Sequence, residues 1–302
     1  MSSLIAQYFL NHRLDLAEIE WQMQEYARQG YEGVYAHART GMLTPYFSDA
    51  WWQALDKMVE ICQRTGMEFY LWDDDYFPSG LCGGRVLWTE PSLAARELRF
   101  KVVEVSGEGP FEVDFEKGLL VGAYAIARSS ALWDNTQFAE LIDLNRFCGT
   151  RKQRWAWRSL LHRAYSPGIN PIGHPHWRSA MDDNRFAVVW APEQPGDYTI
   201  VGVTAEVCSE DHPDLLRPEG IALFLELTHE EYAKRYGDEL GKTIKGSCTD
   251  EPSPGALLFP WSPVLLEEFE QDHGYDLRGH LPHLALDLDE RSALVRHHYR
   301  QT

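Results

Sequence analysis

The amino-acid sequence predicts an α/β chain: a parallel sheet of about four βα units, amounting to a partial (β/α) barrel, with an inserted β-rich subdomain. Three observations carry the prediction. Strand-like and helix-like runs alternate from Ile5 to Trp72, period-2 β-rich runs crowd residues 98–207, and the βα rhythm returns between Arg217 and Thr249.

Taken in order, Ile5 to Leu10 is the first strand. Asp15 can cap a helix to about Gln29, with Leu16, Ile19, Met23 and Tyr26 on one face and Gly30 to end it. Gly33 to Ala38 is the second strand. Ser48 and Asp49 open a second helix, with Trp52, Leu55, Val59 and Cys62 at helical spacing and Gly66 as its stop, and Glu68 to Trp72 is the third strand. From about Glu97 the runs Leu98 to Val105, Phe111 to Phe115, Leu119 to Ala127, Phe186 to Trp190 and Tyr198 to Val207 form the β-rich insertion. The polar, basic and aromatic segment Thr150 to Arg185 reads as a loop with some helix. Pro218 suits the first turn of a helix running to Tyr236 before Gly237, and Thr243 to Thr249 is the fourth strand. A helix follows from Ser262 to His273, and a last helical stretch starts near Asp289. The implied division is first barrel units in 1–96, insertion in 97–210 and continuation of the barrel in 211–302. An eight-stranded barrel would need about as many units again, so the chain is either an open four-stranded half, which a second chain or another copy in a homo-oligomer could complete, or a truncated product of a longer gene.

Composition narrows the partners. A formal charge of −18 argues against nucleic acid, which is bound through clustered Lys and Arg that replace counterions. No run approaches the ~20 apolar residues of a membrane span. The run Leu4 to Leu10 is broken by Gln7 and has no basic residues before it, so no signal peptide is read. Cys62, Cys82, Cys148, Cys208 and Cys248 form no C-x-x-C pair, and their odd number fits reduced thiols and a cytoplasmic location. Eleven Trp and 14 Tyr supply rings that suit a sugar cleft as well as a core.

In a parallel sheet three polar clusters fall at one edge, the carboxyl ends of the strands. They are His37-Ala38-Arg39-Thr40-Gly41, Asp73-Asp74-Asp75 after Trp72, and Asp250-Glu251 after the fourth strand. Pro252 has no N–H for a ladder, so the strand stops and Glu251 sits at the rim. Each cluster has a structural alternative: Arg39 bridging to a carboxylate, His37 as a hydrogen-bonded core residue, the Asp run as a loop cap. Three at one rim point to a site. Three consecutive Asp residues repel when ionised unless a cation, Arg39 or hydrogen-bond donors compensate. Oxygen clusters suit Ca²⁺ or Mg²⁺, yet no metal signature is present; no cofactor is called for, and Ca²⁺ is the cation to consider. His174 and His176 flank Pro175 and could ligate a metal, though a solvated loop is the expected setting. Phe77-Pro78-Ser79-Gly80 with Gly83-Gly84 lacks the order of a phosphate loop and follows three acids that would repel phosphate. No G-x-S-x-G elbow supports a serine nucleophile. A polyhydroxylated sugar is the guest that carboxylates, Arg39 and Trp72 suit together.

The ordered set Phe9-Leu10-Asn11-His12, Gly33-Val34-Tyr35-Ala36-His37-Ala38-Arg39-Thr40-Gly41, Trp72-Asp73-Asp74-Asp75-Tyr76-Phe77-Pro78-Ser79-Gly80, Glu226-Leu227-Thr228-His229-Glu230 and Thr249-Asp250-Glu251-Pro252 resembles the amino-terminal part of bacterial glycoside hydrolases of the α-L-rhamnosidase-like type. Those are multidomain proteins built on a (β/α)₈ barrel. The resemblance implies a glycosidase acting on a plant or bacterial oligosaccharide or glycoside. Asp250-Glu251-Pro252 is also similar to the Asn-Glu-Pro that ends the fourth barrel strand in a broad clan of retaining glycosidases. That likeness implies Glu251 as general acid/base, with Asp250 where the clan has Asn. Asp74 stands where such relatives would carry Glu and is the candidate second catalytic carboxyl. His37, Arg39, Trp72, Asp73, Asp75 and Asp250 are then implied to shape the sugar site. Glycoside hydrolysis needs two carboxyl groups, and the clan takes its second from a seventh strand. A carbohydrate-binding or degenerate glycosidase domain without catalysis is the alternative, and a metal-dependent hydrolase a further one.

Overall fold

The computed structural model describes residues 4–75, 77–128, 140–152, 155–159, 178–182, 184–208, 212–254 and 258–302. The chain divides into two compact units. The first opens with β1 (Ile5–His12), α1 (Leu16–Arg28), β2 (Gly33–Met42), α2 (Asp49–Thr65), β3 (Glu68–Trp72) and the short α3 (Arg85–Thr89). The helix ends are those the sequence marks. The Asp15 carboxylate accepts the N–H groups of Ala17 and Glu18, the Ser48 hydroxyl accepts that of Trp51, and Gly66 ends α2 in the left-handed region at φ 77°.

The second unit takes up β4 (Arg96–Gly107), β5 (Phe111–Asp114), β6 (Leu119–Ala127), β7 (Leu141–Asp143) and β8 (Cys148–Lys152). β9 (Trp155–Ser159) and β10 (Arg178–Asp182) pair as a two-stranded sheet, and β11 (Arg185–Trp190) and β12 (Gly196–Val207) complete the β-rich region. The described parts of the segment Thr150 to Arg185 are therefore strand, where the sequence suggested loop and helix. His174 and His176 lie outside the described residues.

The chain then returns to the first unit with α4 (Pro218–Leu227), α5 (His229–Tyr236) and β13 (Ile244–Cys248). Here the expected single helix is two. Thr228, at φ −120° and ψ −80°, breaks it; its hydroxyl donates to Phe224 O at 2.6 Å, and Thr228 O accepts the Tyr232 N–H at 3.0 Å to start α5. A β-branched residue able to bond its own helix backbone is well suited to such a junction.

The sheet of this unit is parallel throughout, in the order β1-β2-β3-β13. Alternation sorts its two faces. Tyr8, Leu10, Val34, Ala36, Phe69 and Leu71 are buried, as are the helix stripes Ile19/Met23 and Leu55/Met58/Ile61/Cys62. The other face carries Gln7, Phe9, Tyr35, His37, Tyr70 and Trp72, and of these Gln7 and Phe9 remain exposed. Parallel sheets ordinarily have both faces covered.

The chain finishes with β14 (Pro260–Trp261), α6 (Leu265–His273), α7 (Pro282–Ala285) and α8 (Arg291–Gln301). In the second unit β14-β4-β12-β6-β7 form a five-stranded antiparallel sheet and β5-β11-β8 a three-stranded one. Period-2 alternation gives β6 and β12 two buried faces. Tyr124, Ile126, Val201 and Val203 share a core with Leu265, Phe269, Leu281, Leu284 and Val295 of the carboxy-terminal helical segment, while Ala123, Ala125 and Ile200 share one with Val113, Val188 and Trp190. Residues 258–302, read from sequence as further barrel, group with this β-rich unit, whereas 212–254 group with the parallel sheet.

Candidate active site

The carboxyl ends of β3 and β13 are fastened by side chains. The Asp73 N–H donates to Cys248 O at 3.2 Å, carrying the pairing one step past Trp72. The Asp73 carboxylate, 1% exposed, accepts Ser79 Oγ at 2.5 Å on one oxygen and Thr249 Oγ1 at 2.7 Å on the other, which also lies 3.8 Å from His229 Nε2. Burial pushes the Asp73 carboxyl up, the neighbouring Asp74 adds to this, and the two hydroxyls with His229 oppose it. Ser79 closes the knot: its N–H donates to Asp250 O at 2.7 Å and its Oγ accepts the Asp250 N–H at 2.9 Å. The next residue, Glu251, is exposed and sits in the left-handed region at φ 46°. For a residue with a side chain that conformation costs about 1 to 2 kcal/mol, held here by the bonds on either side of it.

Asp74 has another use than the one its sequence position suggested. Its fully buried carboxylate accepts five backbone N–H groups, those of Asp75, Gly80, Leu81, Cys82 and Gly83, at 2.7 to 3.2 Å. A carboxylate offers about four lone-pair sites, and these donors fill them. The expected catalytic partner is thus the centre of a loop-closing nest, and hydrogen-bond donors rather than a cation compensate it. Asp75 is also buried, and burial with the adjacent Asp74 raises its carboxyl well above the usual range. Among the described residues no group of three or more His, Cys, Asp or Glu side chains converges as metal ligands would.

On the β1–β2 side the rim is aromatic. His37 is fully buried, stacked on Trp72 with centroids 3.8 Å apart and planes 8° apart, edge-on to Phe9 at 6.0 Å, and 3.2 Å from the Gln7 amide nitrogen. Leu10 pairs with Ala38 and His12 with Met42, so Arg39, Thr40 and Gly41 together oppose Asn11 alone. This bulge, with Gly41 at φ 90°, re-aims β2 where Arg39 leaves it. The Arg39 guanidinium carbon lies 5.1 Å from the Phe9 ring centroid and 5.0 Å from that of Phe77.

A cavity of about 410 Å³ opens beside the knot. Its apolar wall is Leu215, Leu216, Ile221, Phe224 and Leu225, and its polar side includes Asp73, Ser79, His229 and Thr249. Size and lining are those of small-molecule sites. Pro252, Ser253 and Pro254 line it too, immediately after Glu251. Sequence reasoning assigned no role to His229, Ser79 or Thr249. The break at Thr228 sets His229 at the start of α5, and the hydroxyls beside the Asp run and the Asp-Glu pair were the available signal.

No family model matches the chain, and no curated protein matches it in sequence. Among solved structures it is similar to the rhamnosidase from Novosphingobium sp. PP1Y, with a TM-score of 0.56 and 13% identity over 98% of this chain and 43% of that one. At that identity the likeness shows the fold alone. The chain spans less than half the length of that rhamnosidase chain.

Proposed function

We propose that this chain carries the acid/base portion of a glycosidase site, on four strands that form the first half of a (β/α) barrel, with Glu251 as proton donor to the glycosidic oxygen. The observation that carries the reading is Glu251 itself, exposed in a strained backbone at the carboxyl end of β13, with the preceding Asp250 pinned on both backbone groups by Ser79. The rhamnosidase-like fold supports it, because active sites of such barrels lie at that end of the strands. Glu251 protonates the leaving oxygen as the glycosidic bond breaks and, as a carboxylate, then takes a proton from the incoming water. Asp73 and His229 set the polar side of the adjoining cavity, and His37, Trp72 and Arg39 form an aromatic wall for a sugar. Five cysteines outside any disulfide support a cytoplasmic setting, and no helix among the described residues is long and apolar enough to cross a membrane.

A second carboxyl is required. Asp73, Asp74 and Asp75 are all buried, so the reading calls for further strands from a continuing chain, a second chain or another copy. Replacing Glu251 by Gln should lower kcat/KM about a hundredfold or more on methyl glycosides, whose leaving group needs a proton, and less on dinitrophenyl glycosides, which do not. Equal turnover of methyl glycosides by the two proteins would remove Glu251 from the mechanism.

The occupied carboxylate of Asp74 favours a second reading, a sugar-binding domain without catalysis. Calorimetry with a panel of glycosides, run beside turnover assays, separates the two: heat of binding without product supports this one.

A further inference from the structure

The guanidinium of Arg39 meets aromatic rings rather than an acid. Among the described residues no carboxylate lies within ion-pair distance of it, whereas Arg28, Arg64, Arg99, Arg235, Arg291 and Arg296 all have acidic partners. In a chain of net charge −18, acidic partners are plentiful. Arg39 is instead set between two phenyl rings, Phe9 and Phe77, at a bulge that turns it out of the β2 ladder. Ring contacts of this kind take up none of the guanidinium N–H groups, whose fork suits a planar acceptor such as a carboxylate.

Behind the same wall Trp72 is buried, and among the described residues its Nε1–H meets no hydrogen-bond acceptor. Such a group calls for a reason. Trp72 joins Arg39 through the stacked ring of His37 and the edge contact of His37 with Phe9. The wall therefore offers a cation between flat rings, a set that matches a sugar bearing a carboxylate.

We infer that the Arg39 wall selects an acidic sugar, a uronate, over its neutral counterpart. This rests on the carbohydrate reading above and adds the charge of the ligand to it. The uronate carboxylate takes the guanidinium fork, and its ring lies against the aromatic wall.

The test is calorimetric titration of the full chain with methyl β-D-glucuronide, methyl β-D-glucoside and glucose 6-sulfate. The glucuronide should bind about tenfold or more tightly than the glucoside, as a charge-assisted bidentate contact implies. Arg39→Gln should abolish that preference. Arg39→Lys, which keeps the charge but not the fork, should retain only part of it. Phe9→Leu, which leaves Arg39 intact, should weaken glucuronide binding severalfold and guards against reading a folding defect as lost recognition. Equal affinity for glucuronide and glucoside in the parent, or a preference that survives Arg39→Gln, overturns the inference while leaving the glycosidase reading intact. Tighter binding of the sulfate ester than of the glucuronide overturns the carboxylate assignment. Failure of all three ligands to bind removes the carbohydrate reading along with it.

Discussion

Asp74 shows how much one side chain can decide. The chain between Asp75 and Gly83 includes Gly80 and Gly83 and would leave a row of N–H groups pointing inward, and Asp74 gathers five of them. The same loop delivers Ser79 to Asp73 and Asp250, so the nest holds the rim together. Asp74→Asn keeps the shape but puts an amide N–H against N–H donors. Each buried donor left unpaired costs about 1 to 3 kcal/mol, so a loss near 3 kcal/mol is expected in the urea unfolding midpoint. An Asn variant as stable as the parent would refute the nest. Asp73 differs from its neighbour because its partners are side chains, which leaves it lining the cavity beside His229.

The break between α4 and α5 is the element that the site most depends on. A continuous helix would carry His229 on with the turn of α4; the break at Thr228 instead leaves its Nε2 3.8 Å from Asp73. Thr228→Ala removes the hydroxyl that bonds Phe224 O and lies 3.0 Å from His229 Nδ1, and it supplies the best helix former in its place. Helix content by circular dichroism should rise slightly, and sugar binding should weaken roughly tenfold as His229 moves; no change in either would argue against the break as a positioning device. The sequence could not reveal this break, because helical spacing continues across Thr228. What it did reveal is local: Asp15, Ser48 and Gly66 mark the helix ends they cap, and alternation marks the strands of both units. The gathering of polar clusters at one strand edge was legible too. The work of Asp74 was not, since its partners are backbone groups that any sequence possesses. Nor was the setting of residues 258–302, because an apolar helix stripe asks for a sheet to cover without saying which one.

Across the molecule, histidines concentrate in the carboxy-terminal helices. His283 is buried 3.5 Å from Asp289, beside Arg291; His280 is half-buried next to it; and His298 stacks on His273 with centroids 4.0 Å apart. Burial, abetted by neighbouring His and Arg side chains, lowers His280, His283 and His298 below the usual histidine range, despite the opposing pull of Asp289 on the first two. A histidine whose folded pKa is depressed binds more protons when unfolded. Its contribution to stability is therefore complete above the unfolded value of about 6.5 and is lost as pH falls below it. Asp289, held near 2 chiefly by Arg291 against the cost of its burial, keeps its own contribution until far lower pH. Thermal melts should show a midpoint about 2 to 4 °C lower at pH 5.5 than at pH 7.5, with a smaller gap in His283→Asn; a midpoint independent of pH would contradict this. The plan of the chain has a kinetic consequence. Trp72 in β3 pairs with Cys248 in β13, and β4 to β12 all lie between them in the chain. On the ribosome the first three strands emerge long before their fourth, so β3 waits with an unsatisfied edge while more than half of the chain is synthesised. Contacts that bridge so long a stretch form late, and the knot joining Asp73, Ser79, Thr249 and Asp250 belongs among the last acts of folding. A nascent chain would thus acquire its overall architecture first and its chemistry last.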